Sequence, residues 1–369
     1  MNHNDIEQSI TGHSGPVISV LDRAIAAGAS DIHFRPDHHP FIRVNTILSP
    51  LTDVVLTGEE ILDFGKTFLS EPKVDELLAK GEIDASLSYQ DRRFRANLFI
   101  QKDGYTLALR IIPMEIPSIE DLNLPEVLKD LCEKKRGLVL VTGPTGSGKT
   151  TTLAAMINYI NQRRKENIVT IEDPIEYLYP QLESLISQRE LGAHTRSFSN
   201  ALRASLRQDP DIILVGEMRD LDTISVALTA AETGHLVLST LHTVGAANAM
   251  DRIIDVFPAH QQSQVRTQLS NVIEAVISQQ LMPTVSGNEM LPAIEVMLGT
   301  PAVRNVIREG KTHQILSILE GAASQKMITM DRALINLYRR GQISKDTALQ
   351  YSVDRAAISR ELGMQIRTL

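Results

Sequence analysis

The stretch Leu138-Val-Leu-Val-Thr-Gly-Pro-Thr-Gly-Ser-Gly-Lys-Thr150, continued by Thr151-Thr-Leu-Ala-Ala-Met-Ile-Asn-Tyr-Ile160, decides the fold. Its first five residues are apolar-rich and read as a buried strand. Gly143, Gly148, Lys149 and Thr150 then fill the pattern G-x-x-x-x-G-K-[ST], a phosphate-binding P-loop. Leu153, Met156, Ile157 and Ile160 follow on one helical face. In a strand–loop–helix context the chemistry is specific. The segment Gly143, Pro144, Thr145, Gly146, Ser147, Gly148 lets backbone N–H groups curl round an anion, and the helix N-terminus adds positive potential. Lys149 reaches the β- and γ-phosphates, Thr150 ligates Mg²⁺, and Thr151 completes the binding segment. The expected ligands are ATP and Mg²⁺.

Downstream, apolar runs recur at 168–171, 212–215 and 236–240, with helical stretches between several of them. This alternation predicts a parallel sheet covered on both faces, with ligands at the carboxyl ends of its strands. The first run delivers Glu172 and Asp173 to that edge. The second delivers Gly216, Glu217 and Arg219, and the third is bracketed by His235 and His242. ATP hydrolysis needs Mg²⁺ and a carboxylate that orients the attacking water or takes its proton. Glu217, one residue beyond Gly216, can hold Mg²⁺ or its water shell; Glu172 is the first choice for activating water. Taken alone, either acid would read as a strand-end cap or a salt-bridge partner. His242 directly follows its strand and can sense the γ-phosphate or hydrogen-bond a catalytic acid. His235 reads as the first residue of the strand. From about residue 260 onward the pattern reads as helical, with Val265, Leu269, Val272, Ile273, Val276 and Ile277 on one face.

Ahead of this core, Val17, Leu21, Ala24 and Ile25 form a helical face ending at Gly28. Thr57-x-x-Glu60 is a capping box that opens a second helix through Leu69. Residues 93–101 alternate like a strand, and Asp103-Gly104 turns tightly into another at 105–111. These elements predict a small mixed sheet with helices on it, over residues 1–112. The proline-bearing segment 113–121 reads as a linker to a second domain at 122–369. His33 lies in this part too, and the pair in Pro36-Asp-His-His-Pro40 suits a surface turn better than a metal site.

Composition narrows the class. The chain has 369 residues, 43% hydrophobic and 22% charged, as in an ordinary globular protein of two or three domains. A net charge of −8 argues against broad nucleic-acid binding. The short clusters Lys134-Lys-Arg136 and Arg163-Arg-Lys165 read as solvated faces. A single cysteine, Cys132, excludes an internal disulfide and a four-cysteine zinc site. No apolar run approaches the ~18 residues that span a bilayer, and the N-terminus is polar. The expectation is a cytoplasmic protein with no nucleic-acid partner and no direct membrane insertion.

Four stretches together resemble the secretion ATPases of type II, type IV and type IV pilus systems. They are the P-loop at 143–150, the acidic box Thr170-Ile-Glu-Asp-Pro-Ile-Glu176, the segment Leu206-Arg-Gln-Asp-Pro-Asp-Ile-Ile-Leu-Val-Gly-Glu-Met-Arg219 and the histidine box Thr233-Gly-His-Leu-Val-Leu-Ser-Thr-Leu-His-Thr243. Within that family, Ala302-Val-Arg-Asn-Val-Ile-Arg-Glu309 is similar to the Ala-Ile-Arg-Asn-Leu-Ile-Arg-Glu signature of the PilT-type pilus retraction branch, with Val303 and Val306 as conservative departures. Gly28-Ala-Ser-Asp-Ile-His33 resembles the family's N-terminal domain. A further departure follows Ile42-Arg-Val44, where Asn45-Thr-Ile-Leu replaces the family's Asp-Gly turn.

The resemblance implies a RecA-like P-loop NTPase core, a smaller N-terminal mixed α/β (PAS-like) domain and a helical C-terminal region. It implies a homohexamer with ATP between subunits, docked through an inner-membrane pilus platform protein, whose ATP hydrolysis drives pilus retraction and twitching motility. It also implies that arginines of a neighbouring N-terminal domain reach the phosphates. The matching positions are Arg95 in Phe94-Arg-Ala-Asn97 and Arg110 in Arg110-Ile-Ile-Pro113. At 302–309, Ala302, Val303, Val306 and Ile307 form an apolar face, and Arg304, Asn305, Arg308 and Glu309 a largely solvated one to which the resemblance gives a coupling role. The alternatives are a same-family ATPase of a type II or type IV secretion machine, and a RecA-like DNA translocase. The acidic charge and the absence of a basic stripe speak against the last.

Overall fold

The computed structural model describes residues 15–44, 47–51, 53–90, 92–112, 115–287 and 289–363. The chain forms two compact units, Met1–Glu115 and Ile116–Leu369.

In the first unit the strands β1 (Asp31–Phe34), β2 (Phe41–Val44), β3 (Ile47–Pro50), β4 (Glu82–Tyr89), β5 (Arg92–Gln101) and β6 (Gly104–Ile111) make one sheet, ordered β3-β2-β1-β6-β5-β4. Every pairing is antiparallel, so the expected mixed sheet is corrected. The physical reason lies in the short turns. Lys102 and Asp103 alone join β5 to β6, and a parallel partner would need a crossover of a dozen residues or more. Helix Pro16–Ala26 buries Val17, Val20, Leu21 and Ala24. The capping box forms: the Thr57 hydroxyl accepts from the Glu60 N–H at 3.2 Å, and the Glu60 carboxylate accepts from the Thr57 N–H at 2.7 Å. Its helix, Gly58–Lys66, stops short of Leu69, and a separate helix Glu71–Lys80 follows. His38 and His39 each place Nδ1 against a backbone carbonyl, of Pro36 and Val54, as turn residues do. The departure at Asn45-Thr46 lies outside the described residues, as do Pro113 and Met114 of the expected linker.

In the second unit β7 (Gly137–Thr142), β8 (Asn167–Glu172), β9 (Leu185–Glu190), β10 (Ile212–Val215), β11 (Leu236–Leu241), β12 (Ile273–Pro283) and β13 (Met290–Leu298) form a sheet ordered β13-β12-β7-β11-β10-β8-β9. All neighbours are parallel except β12 and β13. Alternate residues of one strand enter different cores: Leu138 and Leu140 pack on one face, Val139 and Val141 on the other. Burial of both faces explains why these strands read as unbroken apolar runs.

Three expectations change here. The helical pattern after residue 260 ends at Val272, and the next residues are strand β12 and its antiparallel partner β13. Apolar residues at 272, 273, 276 and 277 suit a helix face, but a strand buried on both sides is apolar at adjacent positions too. Period alone cannot separate the two, and the β-branched Ile273, Val276 and Ile277 favour the strand. Helices resume at Pro301–Arg308, which Thr300 caps. The segment read as linker packs from Ile116 onward with the second unit, and Ile119 is fully buried. The basic clusters are also not simply solvated. Lys134 pairs with Glu274 at 2.9 Å, and Arg164 holds Glu166 at 2.7 Å and the Lys134 carbonyl at 2.9 Å. Cys132 is a core residue whose thiol burial pushes up to about 12. No helix among the described residues is long and apolar enough to cross a membrane.

Candidate nucleotide-binding site

Strand register sets the site. Thr142 of β7 lies opposite Leu241 of β11, Ser239 of β11 opposite Val215 of β10, and Val215 opposite Ile171 of β8. The P-loop, His242, Glu217 and Glu172 therefore leave the sheet along one carboxyl edge. His235 does not. It precedes β11 at the opposite edge, with Nδ1 2.9 Å from the Ala230 carbonyl. Six residues at ~3.3 Å each put it roughly 20 Å from the P-loop end of that strand. It belongs to a helix–strand turn, away from the P-loop edge.

The P-loop runs from β7 into helix Lys149–Asn161. Gly143, Gly146 and Gly148 have φ of 147°, 77° and 86°, backbone that side chains rarely adopt. Pro144, Thr145 and Gly146 form an exposed crown, whereas Ser147 and Lys149 are buried. The Lys149 ammonium donates to the Gly143 and Pro144 carbonyls at 3.0 and 2.8 Å. Burial pulls its pKa down, against the pull of Glu217 and Glu176. The Ser147 hydroxyl is buried, with no hydrogen-bond partner among the described residues. A cationic head folded over its own loop, beside an unsatisfied hydroxyl, suits a phosphate chain rich in acceptors. Thr150 opens the helix, and the Thr151 hydroxyl lies 3.1 Å from that of Tyr177. Among the described residues no three acids, histidines or cysteines cluster as a metal cage. Mg²⁺ needs no such cage, because it keeps waters and takes phosphate oxygens beside one or two protein ligands.

Glu217 sits at the centre of the polar groups. Its carboxylate meets Arg219 Nε at 2.5 Å and His242 Nε2 at 3.4 Å. The Thr240 hydroxyl donates to the Gly216 carbonyl at 2.6 Å and fixes the turn beneath it. Glu172 differs. It is 4% exposed, and its Oε1 accepts from the Thr170 hydroxyl at 2.7 Å and the Gln188 amide at 3.2 Å. It also stands one strand farther from β7 than Glu217 does. The carboxylates acting on Lys149 are Glu217 and Glu176.

Burial pushes the Glu172 carboxyl up from 4.5 to about 6. A raised folded-state pKa contributes stability that is present below pH 4.5 and lost as pH rises through about 6. Glu172→Gln, which cannot ionise, is therefore expected to gain up to about 2 kcal/mol over the parent protein across that window. Its kcat at pH 7.5 is expected to stay within about 10-fold of parent. Urea titrations at pH 4.5 and 7.5 check the first part. A variant with no turnover would restore Glu172 as the group that activates water.

Arg95 and Arg110 are cross-strand partners on β5 and β6 in the first unit. Both are exposed, and Arg110 Nε meets Asp31 at 2.9 Å. The polar side of helix Pro301–Arg308 is only partly solvated. Arg304 donates to the carbonyls of Gly299 at 2.7 Å, Ser270 at 3.0 Å and Asn271, and to the Glu274 carboxylate at 2.7 Å. It ties off the carbonyl end of helix Ala259–Val272. Arg308 is exposed, with 3.3 Å contacts to Ser270 and Asn271, and Asn305 reaches Glu309 at 3.0 Å.

Glu176, Gln188 and Gln279 also reach these groups, though no motif gives them a role. Glu176 closes the acidic box, so its signal was present. Gln279 lies in β12, inside the stretch read as helix.

Residues 13–317 match the family model described as Type II/IV secretion system protein. The chain belongs to this family. It is 47% identical over 310 residues to a twitching motility protein of Neisseria gonorrhoeae, covering 84% of this chain and 83% of the relative. It is 45% identical over 333 residues to the type IV pilus retraction ATPase PilT of Pseudomonas aeruginosa, covering 90% and 96%. A crystal structure of the pilus retraction motor PilT with bound ADP superposes with a TM-score of 0.88 at 44% identity, covering 94% of this chain and all of the other. The protein is thus a PilT-type ATPase of this family, with a smaller N-terminal α/β domain followed in the chain by a RecA-like P-loop core.

Proposed function

We propose that this ATPase is a cytoplasmic motor that couples ATP hydrolysis to retraction of a type IV pilus. The observation that carries the reading is the intact P-loop beside the Glu217–Arg219–His242 cluster, in a chain that aligns almost end to end with PilT. In this reading Lys149 and the loop amides hold the phosphates of ATP, and Thr150 and Glu217 hold Mg²⁺. Glu217, whose charge acts on Lys149, is favoured over the more deeply buried Glu172 as the carboxylate that orients water. The working form is a homohexamer that engages an inner-membrane platform protein. Arg95 and Arg110, exposed and adjacent, reach the phosphates of a neighbouring subunit.

The helix at 301–308 is the proposed coupling element, and the structure selects the variants that test it. Arg304 is excluded, because Arg304→Ala strips four acceptors of their donor. Asn305→Ala with Arg308→Ala removes exposed groups and leaves Val303, Val306 and Ile307 in the core. Deleting the gene is expected to abolish twitching, and the double variant to keep ATPase activity without restoring movement. Normal twitching in the deletion strain, with loss of protein secretion instead, would move the protein to a secretion machine. Normal twitching with the double variant would make the helix purely structural.

A further inference from the structure

The P-loop is braced from the neighbouring strand by one amide. Gln279 of β12 is 3% exposed. Its Nε2 donates to the Ser147 carbonyl at 2.6 Å, and its Oε1 accepts from the Thr152 hydroxyl at 2.8 Å. The Ser147 carbonyl can only accept, so the amide nitrogen must face it and the oxygen must face Thr152. Gln279 also presses on the loop backbone. A Cβ at Gly143 would fall 2.2 Å from the Gln279 carbonyl oxygen, and one at Gly148 2.8 Å from Nε2. Two of the three loop glycines thus leave room for this residue.

We propose that Gln279 is a positioning residue that orients the Ser147–Gly148 peptide for phosphate binding, an inference that rests on the P-loop's nucleotide-binding role. The peptide is planar and trans, so its carbonyl and N–H point in opposite directions. Holding the Ser147 carbonyl toward β12 turns the Gly148 N–H away from β12, into the hollow of the loop, where a phosphate oxygen accepts it. Without the amide, the peptide is free to rotate and present its carbonyl dipole to an anion. Gln279 acts through Gly148 and touches no substrate. Thr152 holds the amide the right way round.

Gln279→Met keeps the volume and removes the donor. The expected result is an ADP Kd and an ATP KM raised about 10-fold, as for one lost hydrogen bond to a charged group. The kcat should change less than about 3-fold, because the contact is equal in ground and transition states. A packing role alone would lower Tm and leave the KM of folded protein unchanged. Thr152→Val should weaken ADP in the same direction, and Thr152→Ser, which keeps the hydroxyl, should bind ADP more tightly than Thr152→Val. The parent protein is the control. A parent that binds no ADP removes the nucleotide reading and this inference with it, whereas a parent-like ADP Kd in folded Gln279→Met overturns only the role of Gln279. Should Gln279→Met fail to fold, a parent-like Kd in Thr152→Val overturns it instead.

Discussion

Lys149→Ala is expected to abolish measurable ATP hydrolysis, a loss of at least about 10³-fold in kcat/KM, of the size seen when a preorganised charge or donor is removed from a transition state. The ammonium already lies inside the loop, bonded to the Gly143 and Pro144 carbonyls. Nucleotide binding has only to turn it from those carbonyls to phosphate oxygens. Burial favours the turn, since a desolvated cation gains more from an anion than an exposed one does. The substitution removes partners only from the loop's own carbonyls, and the two cores beneath are untouched, so the variant should fold. Phosphate release and a thermal melt, run together, test both halves. Turnover near the parent value in a folded Lys149→Ala protein would overturn the role given to this residue.

Arg95→Ala or Arg110→Ala is expected to cut hydrolysis by up to ~10³-fold, toward the low end for arginines supplied by a neighbour. Neither change should unfold the monomer. Arg95 is exposed on β5, and Arg110 is 68% exposed, its ion pair being to a half-buried Asp31 that also keeps Arg43 at 3.9 Å and the Ser30 hydroxyl at 2.8 Å. Such a pair is worth about 1 kcal/mol or less. The decisive measurement is a mixture. Arg95→Ala protein has a sound P-loop without its partner arginine, and Lys149→Ala protein has the arginine without a P-loop. Rings assembled from both contain some complete sites and should regain part of the activity. An absence of rescue at every ratio, with subunit exchange demonstrated, would show that the arginines do not work across an interface.

Much of this was legible because it rests on local physics. A phosphate loop needs glycines where φ is positive and a helix directly behind it, so Gly143, Gly148, Lys149 and Thr150 announced the site. The turn at 36–40, the capping box at Thr57 and the strand ends carrying Glu217 and His242 follow from side chains a few residues apart. Other features depend on partners distant in the chain. The residues of β12 have apolar spacing compatible with helix, and became a strand because β7 offered them an edge. Glu172 and Glu217 look alike in the sequence, each an acid after an apolar run. Burial against Thr170 and Gln188 separates one from the other, which is paired with Arg219 and His242.

The sequence by itself determined a P-loop ATPase core and the edge of the sheet where its chemistry lies, because period, glycine conformation and strand–helix alternation act within a few residues. Only the tertiary structure decided that Glu172 is buried while Glu217 pairs with Arg219 and His242, that Arg304 is a helix clamp, and that Gln279 braces the loop from 132 residues away. Those roles come from desolvation and from hydrogen bonds between segments that meet only when the sheet is assembled.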